Sequence, residues 1–117
     1  MSRPGALIIG AVLCVVVAVV AVSAGRGDRT VRAATILVRH AKPVGGVQTI
    51  RFKQGQPINL TVRSDTADEV HFHGYDVGKE VSRGGAVTFR MPATLEGRFE
   101  VELERRKQQL ANVEVVP

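Results

Sequence analysis

Tryptophan is absent from this sequence, aromatic residues make up only 4% of it, and its single cysteine, Cys14, sits near the N-terminus. Each scarcity excludes something. With so few rings, a core has to be built from Val, Leu and Ile around Phe52, Phe72, Phe89 and Phe99, and the abundance of Val favours strands. No cysteine follows residue 14, so the sequence carries no disulfide framework beyond that point. Also missing is a basic face interleaved with stacking aromatics, the arrangement nucleic-acid binding needs, so no nucleic-acid partner is expected. The 117 residues leave room for one domain of about 90 once the N-terminus is set aside, and for no second.

One long stretch lacks charge altogether. Ala6 to Val22 reads ALIIGAVLCVVVAVVAV and follows a leader carrying Arg3, the pattern of an export signal or a membrane anchor over residues 1–24. Its length nearly meets the ~17–25 residues of a spanning helix, while Val22-Ser23-Ala24 offers the small residues a signal peptidase would cut. Both outcomes stay open: a single-pass anchor in the cell membrane, or a secreted domain after cleavage. Cys14 has Leu13 before it, where lipid attachment would want a small residue, and reads as a packing residue. Residues 25–33 form a polar linker whose Arg-Gly-Asp tripeptide is too short to specify adhesion. All basic residues except Arg3 lie from Gly25 onward, 15 against 11 acidic, for a net charge of +4 there. Arg26, Arg29 and Arg32 beside anionic head groups account for much of that excess. By the positive-inside rule alone, the same arginines would put the domain in the cytoplasm.

From Val31 the pattern is short period-two runs separated by turn residues. Ala34–Arg39 comes first, then Val47–Lys53 with Ile50 and Phe52 on one side. Next is a strand whose Ile58, Leu60 and Val62 oppose Asn59, Thr61 and Arg63. The run Asp68–Asp76, DEVHFHGYD, is followed by a glycine-rich connection from Gly78 to Gly85. Val87, Phe89 and Met91 form another inward face; Phe99, Val101 and Leu103 oppose Arg98, Glu100, Glu102 and Glu104; a last strand covers Leu110–Val116. The spacing predicts about seven strands in an all-β, antiparallel sandwich or barrel over residues 34–117, with at most a helical turn within Arg105–Ala111.

Two motifs carry candidate chemistry. Ile36 to Pro43, ILVRHAKP, has the Arg-His pair of the histidine phosphatases, but phosphoryl transfer needs further fixed cations converging from an α/β domain. Strands follow instead, so His40 is expected to cap an edge strand, no catalytic residue is assigned, and the chain is not expected to be an enzyme. In DEVHFHGYD, residues two apart on a strand point the same way, so Glu69, His71, His73 and Tyr75 share a face while Val70 and Phe72 take the core side. The two imidazoles then stand about 6–7 Å apart at Cα and can chelate one ion if a third group arrives. Asp65, Asp68, Glu69, Asp76 and Glu104 are the candidates, and His71, His73 and Asp76 are the assigned set. Copper and zinc suit imidazole. The alternative is a polar sheet face that binds nothing, with no cofactor.

The order Ser64-Asp65-Thr66-Ala67-Asp68-Glu69-Val70-His71-Phe72-His73-Gly74-Tyr75-Asp76, Gly84-Gly85, Phe89 and Gly97-Arg98-Phe99-Glu100-Val101-Glu102-Leu103 resembles a cupredoxin-like family of small exported bacterial proteins. The resemblance covers about Thr35 to Val116. It implies a Greek-key β-sandwich like that of plastocyanin, placed outside the cytoplasmic membrane despite the arginines. Where that family carries blue copper, the ligands are His, Cys, His and a weak axial Met. This sequence departs from that set, with no cysteine past residue 14 and Glu104, Arg105, Arg106 and Lys107 after Leu103. Two readings follow. One is a membrane-tethered module without a blue-copper centre, binding or assembling with an envelope protein. The other is a copper- or zinc-handling protein acting through His71 and His73, with positive charge behind Glu104 weakening the site.

Overall fold

A computed structural model describes residues 29–117. The uncharged run, and the anchor or signal expected of it, lie outside the described residues. No helix among the described residues is long and apolar enough to cross a membrane.

The period-two patterns become nine strands: β1 (Ala34–Arg39), β2 (Lys42–Pro43), β3 (Gln48–Lys53), β4 (Pro57–Ser64), β5 (Asp68–Phe72), β6 (Val77–Val81), β7 (Gly85–Pro92), β8 (Gly97–Leu103) and β9 (Gln108–Val116). They form a four-stranded sheet ordered β2-β1-β4-β7 and a five-stranded sheet ordered β3-β9-β8-β5-β6. Strand side chains alternate between faces, so each sheet presents one apolar face to the other. Ile36, Val38, Ile58, Leu60, Val62 and Phe89 come from the smaller sheet and Ile50, Phe52, Val70, Phe72, Val101, Leu103, Val113 and Val115 from the larger, all buried in one cluster.

Two strands exceed the expected seven. β2 is a two-residue edge piece folded back on β1 by His40 and Ala41, both left-handed at φ 53° and 60°. Asp65 accepts from the His40 N–H at 2.9 Å and Thr66 Oγ1 from the Ala41 N–H at 3.2 Å, which holds this turn. β6 occupies the stretch expected to be a glycine-rich connection. Val81 anchors it in the core, and the Glu69 carboxylate lies over Gly78 across the β5–β6 pair, in space that a Cβ there would take.

The sheets are mixed, not purely antiparallel. β1 runs parallel to β4 and β3 parallel to β9. Alternation reports which face a residue takes and carries no information on strand direction. Direction is set here by connections that cross between the sheets. No helical turn forms in Arg105–Ala111: Glu104–Lys107 is a turn, and β9 begins directly at Gln108.

Candidate metal centre

β5 and β8 lie side by side and antiparallel, with His71 opposite Glu102. The ladder continues past both strand ends, because the His73 N–H donates to Glu100 O at 2.9 Å and the Glu104 N–H to Glu69 O at 2.8 Å. His71 and His73 thus line one edge of a square and Glu102 and Glu104 the other. Between Val101 and Glu102 the β8–β9 register shifts by one residue, Ala111 opposing Val101 and Gln109 opposing Glu102.

His73 belongs to a turn and not to the strand. Gly74 is left-handed at φ 84° and Asp76 at φ 53°, and a Cβ on Gly74 would overlap the Phe99 ring. The turn is fixed from its far side: the Tyr75 hydroxyl donates to Leu95 O at 3.0 Å and accepts from Leu95 N at 3.1 Å. The Tyr75 ring packs edge-on against Phe72 and Phe99, at 5.5 and 5.0 Å between centroids. Tyr75 therefore leaves the histidine face it was expected to share, because β5 stops at Phe72 and the turn folds it back onto the core margin.

The donor atoms of His71, His73, Glu102 and Glu104 all lie within 4.8 Å of one another. The two imidazoles meet edge-on, 4.3 Å apart at 63°. His73 Nε2 sits 2.7 Å from Glu102 Oε1, whose side chain is only 10% exposed. His71 Nδ1 lies 3.3 Å from Glu104 Oε2, yet both atoms are buried without a hydrogen-bond partner. On the other side of the ring, His71 Nε2 faces Asp76 Oδ1 at 3.3 Å. Each ring nitrogen of His71 thus faces a carboxylate oxygen at 3.3 Å, Glu104 Oε2 on the buried side and Asp76 Oδ1 on the exposed one.

Glu104 is held down to about 2, chiefly by its hydrogen bond from Lys107, with the neighbouring Glu102 carboxyl contributing next. Lys107 Nζ reaches Oε1 at 2.9 Å, which leaves Oε2 turned inward. The other two cations point elsewhere, contrary to the expectation that they would oppose a metal. Arg105 forks onto both oxygens of Glu80. Arg106 donates to Asp68 Oδ2 at 2.7 Å and to Ala67 O at 2.9 Å. The Asp68 side chain is fully buried. Burial pushes its carboxyl up, but the hydrogen bonds from Arg106 and from the Arg105 and Glu69 amides outweigh that, and it lies below the usual carboxylate range.

Of the groups named from sequence, Glu104 joins His71 and His73, whereas Asp76 stands behind His71 with its side chain 95% exposed. Asp65 and Asp68 are committed to backbone amides and, for Asp68, Arg106. Glu102 was missed as a ligand. Its signal was its place two residues before Glu104 on the polar face of β8, legible once β5 and β8 are known to be neighbours.

A tetrahedral ion with ligands at about 2.0–2.2 Å has ligand–ligand edges of about 3.3–3.6 Å. The Nδ1–Oε2 separation of 3.3 Å already matches such an edge, and the His73–Glu102 contact would open by about 0.6 Å to match. The set is two nitrogens and two oxygens. It lacks the thiolate and thioether that suit Cu(I) and blue copper: Cys14 is the only cysteine, and of the two methionines Met91 lies on β7 in the other sheet. The donors fit Cu(II) or Zn(II).

No family model matches the chain, and no curated protein sequence is similar to it. Its fold is found among solved structures. The metal-binding domain of the Streptococcus pneumoniae D39 Cu(I)-exporting P-type ATPase CopA, with Cu(I), superposes with a TM-score of 0.60 at 16% identity, over 80% of this chain and 100% of that one. A copper-binding protein in its apo form gives 0.56 at 12% identity, over 79% and 97%. A chain of a heme-copper terminal oxidase dimer gives 0.56 at 17%, over 78% and 71%. Residues 34–116, two facing sheets with a histidine-bearing strand end, have a cupredoxin-like fold.

Proposed function

We propose that this chain is a metal-handling module that holds one divalent cation, Cu(II) ahead of Zn(II), through His71, His73, Glu102 and Glu104. The observation that carries this is the buried pair of unpartnered atoms, His71 Nδ1 and Glu104 Oε2, facing each other at 3.3 Å. Buried polar atoms are nearly always satisfied, and a cation held between Nδ1 and Oε2 would satisfy both together. The two carboxylates also bring negative charge to the cluster, offset on its outer side by Lys107.

Copper comes first because nitrogen and oxygen sites bind Cu(II) more tightly than the other divalent first-row ions. Two of the similar structures are also copper-binding. Asp76 Oδ1, 3.3 Å from His71 Nε2, is placed to orient the ring from behind, as carboxylates do for metal-bound histidines. A thiolate-free site of this kind stores or transfers a cation without serving as a blue-copper electron carrier. The uncharged run at 6–22 supports placing the module on a membrane, and the resemblance to exported cupredoxin-like proteins, against the flanking arginines, favours the extracytoplasmic side for the domain.

Calorimetric titration with Cu(II), Zn(II) and Cu(I), run in parallel on a His71→Ala/His73→Ala variant, tests the reading. One tight equivalent of Cu(II) is expected in the parent and none in the variant. Equal, weak heats in the two proteins would remove the metal from the account.

A further inference from the structure

The two sheets differ in charge. Strands β1, β2, β4 and β7 contain no aspartate or glutamate; their ionisable residues are Arg39, Lys42, Arg63 and Arg90, all exposed. Every acidic residue within a strand belongs to the other sheet, from Asp68 and Glu69 on β5 to Glu114 on β9. The arginines alternate with buried residues and so project from the outer face of the four-stranded sheet. Between them the register sets Thr35 beside Thr61 and Thr61 beside Thr88, whose hydroxyls meet at 2.9 Å. The adjoining row is Leu37, Arg63 and Ala86.

This face is short of anions. Arg39 stands directly opposite Lys42, a cross-strand pairing of like charges that works against the β1–β2 hairpin. Among the described residues, none of the four cations forms an ion pair. Asp65, at the end of β4, is taken up first by the His40 amide and then by Thr66, with Arg39 a minor influence on it. A hollow of about 210 Å³ beside Arg39 and Arg63 is lined also by Leu37, Asp65, Gly84 and Gly85, so the one carboxylate at this end of the sheet sits with the two arginines.

We infer that the outer face of the four-stranded sheet lies against an anionic bilayer surface, Arg39, Arg63 and Arg90 meeting lipid phosphates and the His–Glu cluster facing the opposite way. The occupant is a bilayer and not an acidic protein because of what precedes β1. The uncharged run ends at Val22, twelve positions before Ala34, a span of at most about 40 Å when extended. Arg26, Arg29 and Arg32 within it, against the single Asp28, keep the segment net positive up to the sheet where β1 lies. Each cation near an anionic surface favours the docked state about fivefold, so neutralising three weakens it about a hundredfold.

The absence of tryptophan provides the test. Full-length protein carrying Ala86→Trp is reconstituted into vesicles of zwitterionic lipid, or of the same lipid with about one-third anionic phospholipid, each doped with a headgroup nitroxide quencher. A second protein carries Glu100→Trp, on the exposed side of the five-stranded sheet. Quenching of the residue-86 reporter is expected only with anionic lipid, reversed by high salt and by Arg39→Gln/Arg63→Gln/Arg90→Gln, while the residue-100 reporter stays unquenched. Quenching at position 86 that ignores lipid charge, or matches that at position 100, would overturn the inference.

Discussion

Replacing Asp68 by Asn isolates the contact that holds the Glu104–Lys107 turn against β5. Asp68 Oδ1 accepts from the Glu69 amide at 2.7 Å and the Arg105 amide at 3.0 Å, and Oδ2 accepts from Arg106 at 2.7 Å. An asparagine keeps the shape and the two amide bonds, but its NH₂ then confronts the guanidinium. A hydrogen bond to a charged group contributes about 1.5–3 kcal/mol, and the Arg106 side chain, 44% exposed, recovers part of its hydration when released. The expected loss is therefore about 2 kcal/mol, or about 8–16 °C in Tm for a domain of this size. The pH dependence has a definite sign. Asp68 has a folded pKa below the ordinary aspartate value of 3.8, so its ionic contribution is present above that value and fades as pH falls through the lower, folded one. Melting curves of parent and Asp68→Asn should differ by a constant gap from about pH 5 to 8, narrowing below about pH 4. A gap that persists unchanged into strong acid, or no gap at neutral pH, would refute the assignment of the stabilisation to the carboxylate charge.

Gly74→Ala should cost about 2–4 kcal/mol, since it adds a Cβ at φ 84° and drives it into Phe99; chemical denaturation measures it, and cation binding should weaken as His73 moves. Lys107→Ala removes the cation bound to Glu104 Oε1 and should tighten Cu(II) binding about three- to fivefold by calorimetry, with the Glu104 carboxyl rising from about 2 toward its ordinary value. Unchanged affinity would mean that Lys107 does not compete for Glu104. Asp76→Asn should weaken Cu(II) by no more than about tenfold, since its side chain is almost fully exposed, against abolition in His71→Ala. Equal loss in the two would make Asp76 a ligand in its own right.

The strand faces were legible because burial follows period two. Ile58, Leu60 and Val62 are fully buried, and Asn59, Thr61 and Arg63 are not. Strand direction was not, since β1 and β4 read the same whether they run parallel or antiparallel. His71 and His73 could be paired from spacing alone, being two residues apart. Glu102 could not, because its approach to His73 depends on β8 lying next to β5, a long-range pairing that no local pattern encodes. The cations after Leu103 misled for a related reason. Sequence places Arg105 and Arg106 behind Glu104, but their long side chains reach Glu80 on β6 and Asp68 on β5, so their charge is spent away from the histidines.

The parallel pairing of β3 with β9 also bears on how the chain assembles. Gln48 finds its partner Ala111 only after nearly all of the domain has been synthesised, and β9 also completes β8. Until residues 108–116 leave the ribosome, two strands of the larger sheet have an open flank and Ile50 and Phe52 lack their cover. Such long-range closure makes for slow folding and a late commitment step, with exposed edges prone to mispairing in the interval. A nascent chain of this kind gains from being kept extended until its last nine-residue strand is free to zip the sheet shut.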